Sequence, residues 1–371
     1  MAQQGPRLPG ARRGAAGEQA GHEARVEQAS PDERLVGTAI YVDGRRARSP
    51  ESLAETSRAL ADEDGAMAWV GLYRPSAEEL QAAAEEFGLH ELAVEDAILA
   101  HQRPKVERYD ETLFVVLRPA RYLDETEQVE LGELHLFIGP DFVLTVRHGR
   151  SPDLSAVRDR MEAAPELLRR GPHAVLYAVL DAVVDDYAPV VEGVQHDIDE
   201  IETQVFGGDP NASRRTYQLS REVIELQRAT SPLLGILEEV GANYAERDAD
   251  AELHRRLRDV TDHATTVAER VGGFRQMISD ILSVNATLVT QEQNEKMKSL
   301  TEASYAQSEQ VKSISSWAAI LFAPTLVGTV YGMNFDAMPE LHWSFGYPMA
   351  VGLMIVVCVL LYVVFKRRDW L

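Results

Sequence analysis

The sequence predicts an α/β domain, a long-helix stalk and two transmembrane helices, in that order. Three observations carry the expectation. Residues 313–335 and 343–365 contain no charged side chain, and about 20 apolar residues suffice to cross the hydrocarbon core of a bilayer. Residues 173–205, 214–240 and 257–282 repeat apolar side chains at three- and four-residue intervals with sparse glycine and proline, the period of a helix face. Residues 35–148 instead mix short β-rich runs with helix-start signals.

Residues 1–34 are rich in Gly, Ala, Gln, Glu and Arg and have no apolar run, so they read as a disordered, solvated tail rather than a signal peptide. Arg7, Arg12 and Arg13 give it some cationic character, but a nucleic-acid partner is not expected. The runs 35–42, 68–73, 113–118, 130–138 and 142–147 read as strands, each bounded by turn-forming residues. Ser49-Pro50-Glu51 and Ser76-Ala77-Glu78-Glu79 read as helix starts, with a capping hydroxyl followed by acids, and residues 89–100 as a further short helix. An α/β domain over 35–170 results. It holds no phosphate-loop pattern, no His-Glu-x-x-His pair and no paired cysteines, so neither an enzyme nor an organic cofactor is expected.

The stalk, 171–312, should comprise two antiparallel helices followed by a longer one. Gly207-Gly208-Asp209-Pro210 separates the first two, with the glycines ending one helix and Asp-Pro opening the next. Residues 250–323 lack proline, so the third helix should run into the first span, reaching about 80 residues and roughly 120 Å. A helix of that length needs partners along its side. Asp197, Asp199, Glu200 and Glu202 read as a solvated face on the first of the three.

Lys312 precedes the first span and Lys366, Arg367 and Arg368 follow the second, while the loop 336–342 has no Lys or Arg. Cationic flanks stay on the cytoplasmic side, so both termini should be cytoplasmic, with residues 366–371 a basic tail. Trp317, Tyr331, Trp343, Tyr347, Tyr362 and Trp370 sit near the span ends, where aromatic belts form. The outward loop carries Asp336 and Glu340, two carboxylates that would enrich cations or simply be solvated. The one cysteine, Cys358, lies in the second span without a partner for a disulfide. A lone cysteine fits a reducing cytoplasm, and the net charge of −22 fits a large soluble domain ahead of the spans.

Stepping along the first span from Val311 gives Ile314, Ala318, Phe322, Thr325 and Thr329, apolar residues giving way to hydroxyls. Such a stripe is either a lipid- or helix-packing surface or, in symmetric copies around an axis, a pore wall whose apolar rings close by dewetting. The polar run before it, including Gln291, Glu292, Glu295 and Gln310, reads as a solvated stalk face or a pore entrance.

The residues that end the stripe favour the pore. Tyr331-Gly332-Met333-Asn334-Phe335 followed by Met338-Pro339-Glu340-Leu341 resembles the signature of the CorA family of divalent-cation transporters. His101-Gln102-Arg103-Pro104-Lys105-Val106-Glu107 after Glu95-Asp96, and the terminal Phe365-Lys366-Arg367-Arg368-Asp369-Trp370-Leu371, are similar to that family as well. The resemblance implies a funnel-shaped homopentamer in the plasma membrane, with a cytoplasmic α/β/α domain. It also implies a channel for Mg2+ that passes Co2+ and Ni2+ and is gated by intracellular Mg2+ bridging acids of neighbouring subunits. The matching acid is Asp96, with Glu95 beside it; the usual stalk partner falls on Met297, and Glu295, Glu292 or Asp280 would have to substitute.

The chemistry of the triplet agrees with such a role. Mg2+ gives up water reluctantly, so neutral oxygens that hydrogen-bond its hydration shell hold it loosely enough for it to move on. A ring of Asn334 carboxamides, helped by carbonyls near Gly332 and Met333 and buttressed by Tyr331 and Phe335, would supply them. The same residues also suit a helix C-cap at the membrane surface. No ATP-binding motif is present; a potential of about 100 mV acting on two charges supplies roughly 4.6 kcal/mol. Two other readings stand beside this one. A proton-coupled Zn2+ transporter of the same superfamily would depart from Met at position 333, and a membrane-anchored scaffold would have no use for Asn334.

Overall fold

The computed structural model describes residues 35–100, 102–246, 251–333 and 343–371. The expectations for the tail 1–34, for Asn334, Phe335, Asp336 and Glu340, and for His101 lie outside the described residues. The chain forms two compact units, Met1–Asn285 and Ala286–Leu371.

In the first unit, β1 (Leu35–Val42), β2 (Arg45–Arg48), β3 (Met67–Tyr73), β4 (Lys105–Tyr109), β5 (Thr112–Leu117), β8 (Leu134–Ile138) and β9 (Phe142–Arg147) make a seven-stranded sheet. Its order is β2-β1-β3-β9-β8-β5-β4. Only β3 and β9 are parallel neighbours; the other pairs are antiparallel. The central strands are buried along nearly their whole length, which is why their sequences are almost continuously apolar: both faces of the sheet are covered. One face packs Val70, Phe114, Phe137 and Leu144 against α1 (Leu53–Asp62), α2 (Ala77–Phe87) and α3 (Glu91–Leu99). The other meets α4 (Leu154–Glu162), α6 (Pro172–Phe206) and α7 (Ala212–Glu246). α5 (Pro165–Leu168) is a single turn between α4 and α6. The α/β/α layering that the resemblance implies is therefore present.

Local chemistry sets the element boundaries. Ser76 begins α2 with a full capping box: its hydroxyl accepts from the Glu79 amide and the Glu79 carboxylate accepts from the Ser76 amide. α1 starts at Leu53, later than Ser49-Pro50-Glu51 suggested, because Ser52 is the residue whose hydroxyl accepts from an amide, that of Glu55. The run 130–138 is not one strand. It divides at Gly132-Glu133 into β7 (Gln128–Leu131), which pairs with β6 (Ala120–Leu123) in a separate ribbon, and β8. A Cβ on Gly149 would lie 2.7 Å from the Gly132 Cα, so only two glycines permit the close backbone crossing there. β2 and β4 went unread because charged residues interrupt their apolar pattern and both lie at the sheet edges.

α6 and α7 are each 35 residues long. α7 begins at Ala212, two residues past the expected start, since Asp209 spends its carboxylate on the Asn211 amide and the first helical turn forms beyond it. The acids of α6 do not form one solvated face. Asp197 is only 3% exposed, accepts from the Tyr122 hydroxyl at 2.9 Å, and lies 3.6 Å from Arg215. Burial raises its pKa above the usual carboxylate range. Arg215 also ties Glu127 to Glu200, so this cluster fastens the β6–β7 ribbon and α7 to α6.

α8 (Ala251–Tyr331) is a single helix of 81 residues, close to the length expected from the absence of proline. Within the first unit it buries Leu257, Val260, Val271, Phe274 and Ile278. From residue 289 to residue 311 every side chain is exposed. In the second unit its C-terminal part packs beside α9 (Gly346–Arg367).

Gly193 on α6 faces the Tyr122 ring, where an added Cβ would sit 2.6 Å from three ring atoms. Gly193→Ala is expected to destabilise the first unit by about 1–3 kcal/mol, the usual cost of overpacking, read as a lowered Tm. Tyr122→Phe, which removes only the hydroxyl donated to Asp197, should cost less than Gly193→Ala.

Candidate ion-conducting segment

α8 and α9 are the two helices among the described residues long and apolar enough to cross a membrane. Their contact fixes which face of α8 is left open. Ser316 and Ile320 are buried, Cys358 of α9 reaches the Ile320 carbonyl, Gly328 lies beside Met354, and Ala350 is the residue of α9 most deeply covered. At 100° per residue, Val311, Ala318, Phe322 and Thr329 fall about 160–180° around the helix from Ile320, and Ile314 and Thr325 about 120–140°. All six are exposed, as are Trp317, Leu321 and Leu326. The stripe thus lies within the surface of α8 that α9 does not cover.

The far end of the stripe carries two hydroxyls, Thr325 and Thr329. Thr329 donates its proton to the Thr325 carbonyl at 2.7 Å. With the donor used within the helix, the oxygen offers only lone pairs to whatever lies beyond it. The helix then ends without a left-handed cap. Gly332 is not among the residues with positive φ, and its amide still donates to the Gly328 carbonyl at 2.9 Å, with Met333 donating to Val330 at 3.4 Å. A Cβ at Gly332 would stand 3.1 Å from the Gly328 carbonyl oxygen, so glycine here relieves crowding in the last turn. Gly332 and Met333 are exposed and Tyr331 is half-buried.

Pro324 sits inside α8. Proline has no amide proton, so the carbonyl four residues back, that of Ile320, loses its helical partner. The Cys358 thiol donates to that oxygen at 3.5 Å. Sequence reasoning treated Cys358 only as a cysteine without a disulfide. The signal was nonetheless present: proline within a span implies an orphan carbonyl that a neighbouring helix must satisfy.

In the first unit, Glu95 is exposed and Asp96 is half-buried on α3. The Asp96 carboxylate is not free: Lys105 Nζ lies 2.7 Å away, and equally 2.7 Å from Glu107. Burial works against the Lys105 charge, but its bonds to Asp96 and Glu107 outweigh it and raise the pKa. Among the stalk acids considered as partners, Asp280 accepts from Gln276, Glu292 from Lys296 and Glu295 from Gln291. Among the described residues no three His, Cys, Asp or Glu side chains converge as metal ligands. Beside Asp96, Leu92 and Leu99 are 55% and 62% exposed, an apolar surface on α3 that none of the described residues covers.

The sequence matches a family described as CorA-like Mg2+ transporter protein over residues 64–367. It is 32% identical over 295 residues to the cobalt/magnesium transport protein CorA of Thermotoga maritima, covering 79% of this chain and 80% of that protein. It is 23% identical over 322 residues to the magnesium transport protein CorA of Wolinella succinogenes, covering 82% and 91%. Among solved structures, the fold is similar to the complete CorA magnesium transporter of Methanocaldococcus jannaschii, with TM-score 0.51, 17% identity and coverage of 82% and 92%. The full-length CmaX protein gives TM-score 0.57, 18% identity and coverage of 92% and 99%.

Replacing Cys358 by valine leaves the Ile320 carbonyl without a donor and is expected to cost roughly 0.6–1.7 kcal/mol, the range for hydrogen bonds between membrane helices. Cys358→Ser keeps a donor and should be close to wild type. Thermal unfolding of the purified protein in detergent reads the difference; equal loss in both variants would show that packing volume, not the hydrogen bond, matters at this position.

Proposed function

We propose, from the premise that this chain belongs to the CorA-like Mg2+ transporter family, that it assembles as a homopentameric channel. It admits Mg2+, and also Co2+ and Ni2+, down the electrochemical gradient and closes when Mg2+ accumulates on the cytoplasmic side. The observation that carries this reading is the exposed stripe on α8, turned away from α9 and ending at Gly332-Met333. In a ring of copies with α9 outside, that stripe faces the axis. Val311, Ile314 and Phe322 then form apolar rings that close by dewetting, and Thr325 and Thr329 form rings of acceptor oxygens.

Two further surfaces support an assembly. A helix exposed on all sides over 289–311 gains little from propensity alone and needs lateral partners. The apolar patch of Leu92 and Leu99 on α3 is a second face that a neighbouring copy would cover. In this arrangement 35–170 is the cytoplasmic α/β domain, 171–312 the stalk, 313–335 the pore-lining span, 336–342 the outer loop, 343–365 the outer span and 366–371 the basic tail. Lys312, Lys366 and Arg367 flank the spans on one side, which supports cytoplasmic termini for a channel of the plasma membrane.

The filter is the triplet Gly332, Met333 and Asn334, supported by Tyr331 and Phe335. A hydrated Mg2+ passes because carboxamide and carbonyl oxygens bind its water shell without demanding that it be stripped. Asp336 and Glu340 raise the cation concentration at the mouth. Closure works through Asp96 and Glu95: a divalent ion bound between these acids and a neighbouring subunit holds the copies together, and dissociation lets them move apart. Lys105 then occupies the place the ion must take beside Asp96, so the strength of that ion pair sets the Mg2+ concentration at which the channel shuts. Met333 disfavours the Zn2+ reading.

Purified protein in liposomes loaded with a fluorescent Mg2+ indicator should take up Mg2+ when an inside-negative potential is imposed, and Asn334→Ala should abolish that uptake. Uptake in neither protein, with pentamers intact, would leave a scaffold as the better account. Lys105→Met should lower the half-inhibitory internal Mg2+ concentration by up to about fivefold, the equivalent of roughly 1 kcal/mol for a partly exposed ion pair. An unchanged or raised value would remove Asp96 from the closing mechanism.

A further inference from the structure

The sheet face that meets α4 carries a cavity of about 640 Å3 that ion conduction does not use. Its floor is formed by β1, β3 and β9, and its wall by the start of α4. The volume lies within the range of small-molecule sites.

Its polar lining is cationic and under-satisfied. Arg158, on α4, stacks over the Trp69 ring at 4.8 Å and donates through Nη2 to the Gly37 and Trp69 carbonyls. No carboxylate pairs with it, and burial holds it below the usual guanidinium range. Gly37 makes room for the guanidinium: a Cβ there would lie 2.8 Å from Arg158 Nη1. Arg147, at the end of β9, likewise donates only to backbone carbonyls, those of Arg150 and Pro152, and burial lowers it too. Arg46 at the rim differs, because Glu162 takes its Nε at 2.9 Å.

One further group near the floor has no partner. The Trp69 indole N–H is buried without a hydrogen bond, and Trp69 is 1% exposed. A buried polar group without a partner is costly, and Arg158 and Arg147, each half-buried, carry charge that no carboxylate neutralises at close range. The carboxylates that also line the cavity, Glu51 and Asp159, are exposed, so water screens them. The first amides of α4 are not available as donors, since Asp153 accepts from Ser155 and Ala156.

We propose that this cavity binds a phosphate-type oxyanion, either free phosphate or the phosphate group of a small ester. The anion sits between Arg158 and Arg147, over the Trp69 edge of the floor. One anion would then give two half-buried guanidiniums, neither paired with a carboxylate, a shared counter-charge, and lie beside one unpartnered indole N–H. Planar, forked guanidiniums suit tetrahedral oxyanions.

The test is isothermal titration calorimetry on the full-length protein in detergent, in chloride buffer, with inorganic phosphate and adenosine monophosphate titrated separately. At least one should bind with one site per chain, and which of them binds identifies the source of the phosphate. Arg158→Met and Arg147→Met should each weaken binding at least about tenfold, the loss expected for one charge-assisted contact. Thr38→Val, whose side chain lies on the opposite face of the sheet, should leave binding unchanged, and the Tm of each arginine variant without ligand shows whether it is folded. Absence of binding by both probes, or equal affinity in the wild type and both folded arginine variants, would overturn the proposal.

Discussion

Inside a bilayer every backbone polar group has to find its partner within protein, because lipid offers none. That requirement governs the second unit. α8 meets it by continuing one hydrogen-bond ladder from Ala251 to Tyr331 and breaks it at one point in the span, Pro324. The Cys358 thiol closes the gap by donating to Ile320, so the contact that repairs the ladder also decides which face α8 turns to α9. The stripe from Val311 to Thr329 is then left on the far side. Thr329, by donating to Thr325, satisfies its own proton and keeps only acceptor character. Orientation and chemistry of the exposed face both follow from the need to leave no backbone or hydroxyl group unsatisfied.

The first unit answers to a different constraint. Its sheet is covered on both faces, so each charge near it must be paired or kept at an edge. Asp197 is held by Tyr122 and Arg215, and Asp96 by Lys105. These pairings have opposite implications. The Asp197 cluster is buried and fastens the β6–β7 ribbon to the long helices, whereas the Lys105 pair is accessible enough for a competing cation to contest. Arg158 and Arg147 depart from the rule, being turned towards backbone carbonyls and an open cavity instead of carboxylates, and that departure singles the cavity out.

Much of the architecture is legible from local pattern. The continuous apolar runs of β3 and β9, the capping box at Ser76 and the proline-free stretch before Pro324 each specify an element by short-range physics. Where local pattern misled, tertiary contact had decided. The Gly132–Gly149 crossing split an apparently single strand between two sheets, and Asp209 engaged Asn211 rather than opening α7. Asp197 looks like its acidic neighbours in sequence, and only the proximity of Tyr122 and Arg215 separates it from them.

The sequence by itself determined that the chain carries two apolar helices after an α/β domain, and that a Gly-Met-Asn triplet follows the first of them in sequence. These are properties of composition, period and adjacency, which need no knowledge of distant contacts. Tertiary structure alone decided which face of α8 is free, that Asp96 is already paired with Lys105, that Cys358 completes the helix at Pro324, and that two arginines without carboxylate partners share a cavity. Each of those facts joins residues far apart in the chain, and no periodicity or motif encodes which distant atoms come within hydrogen-bonding reach.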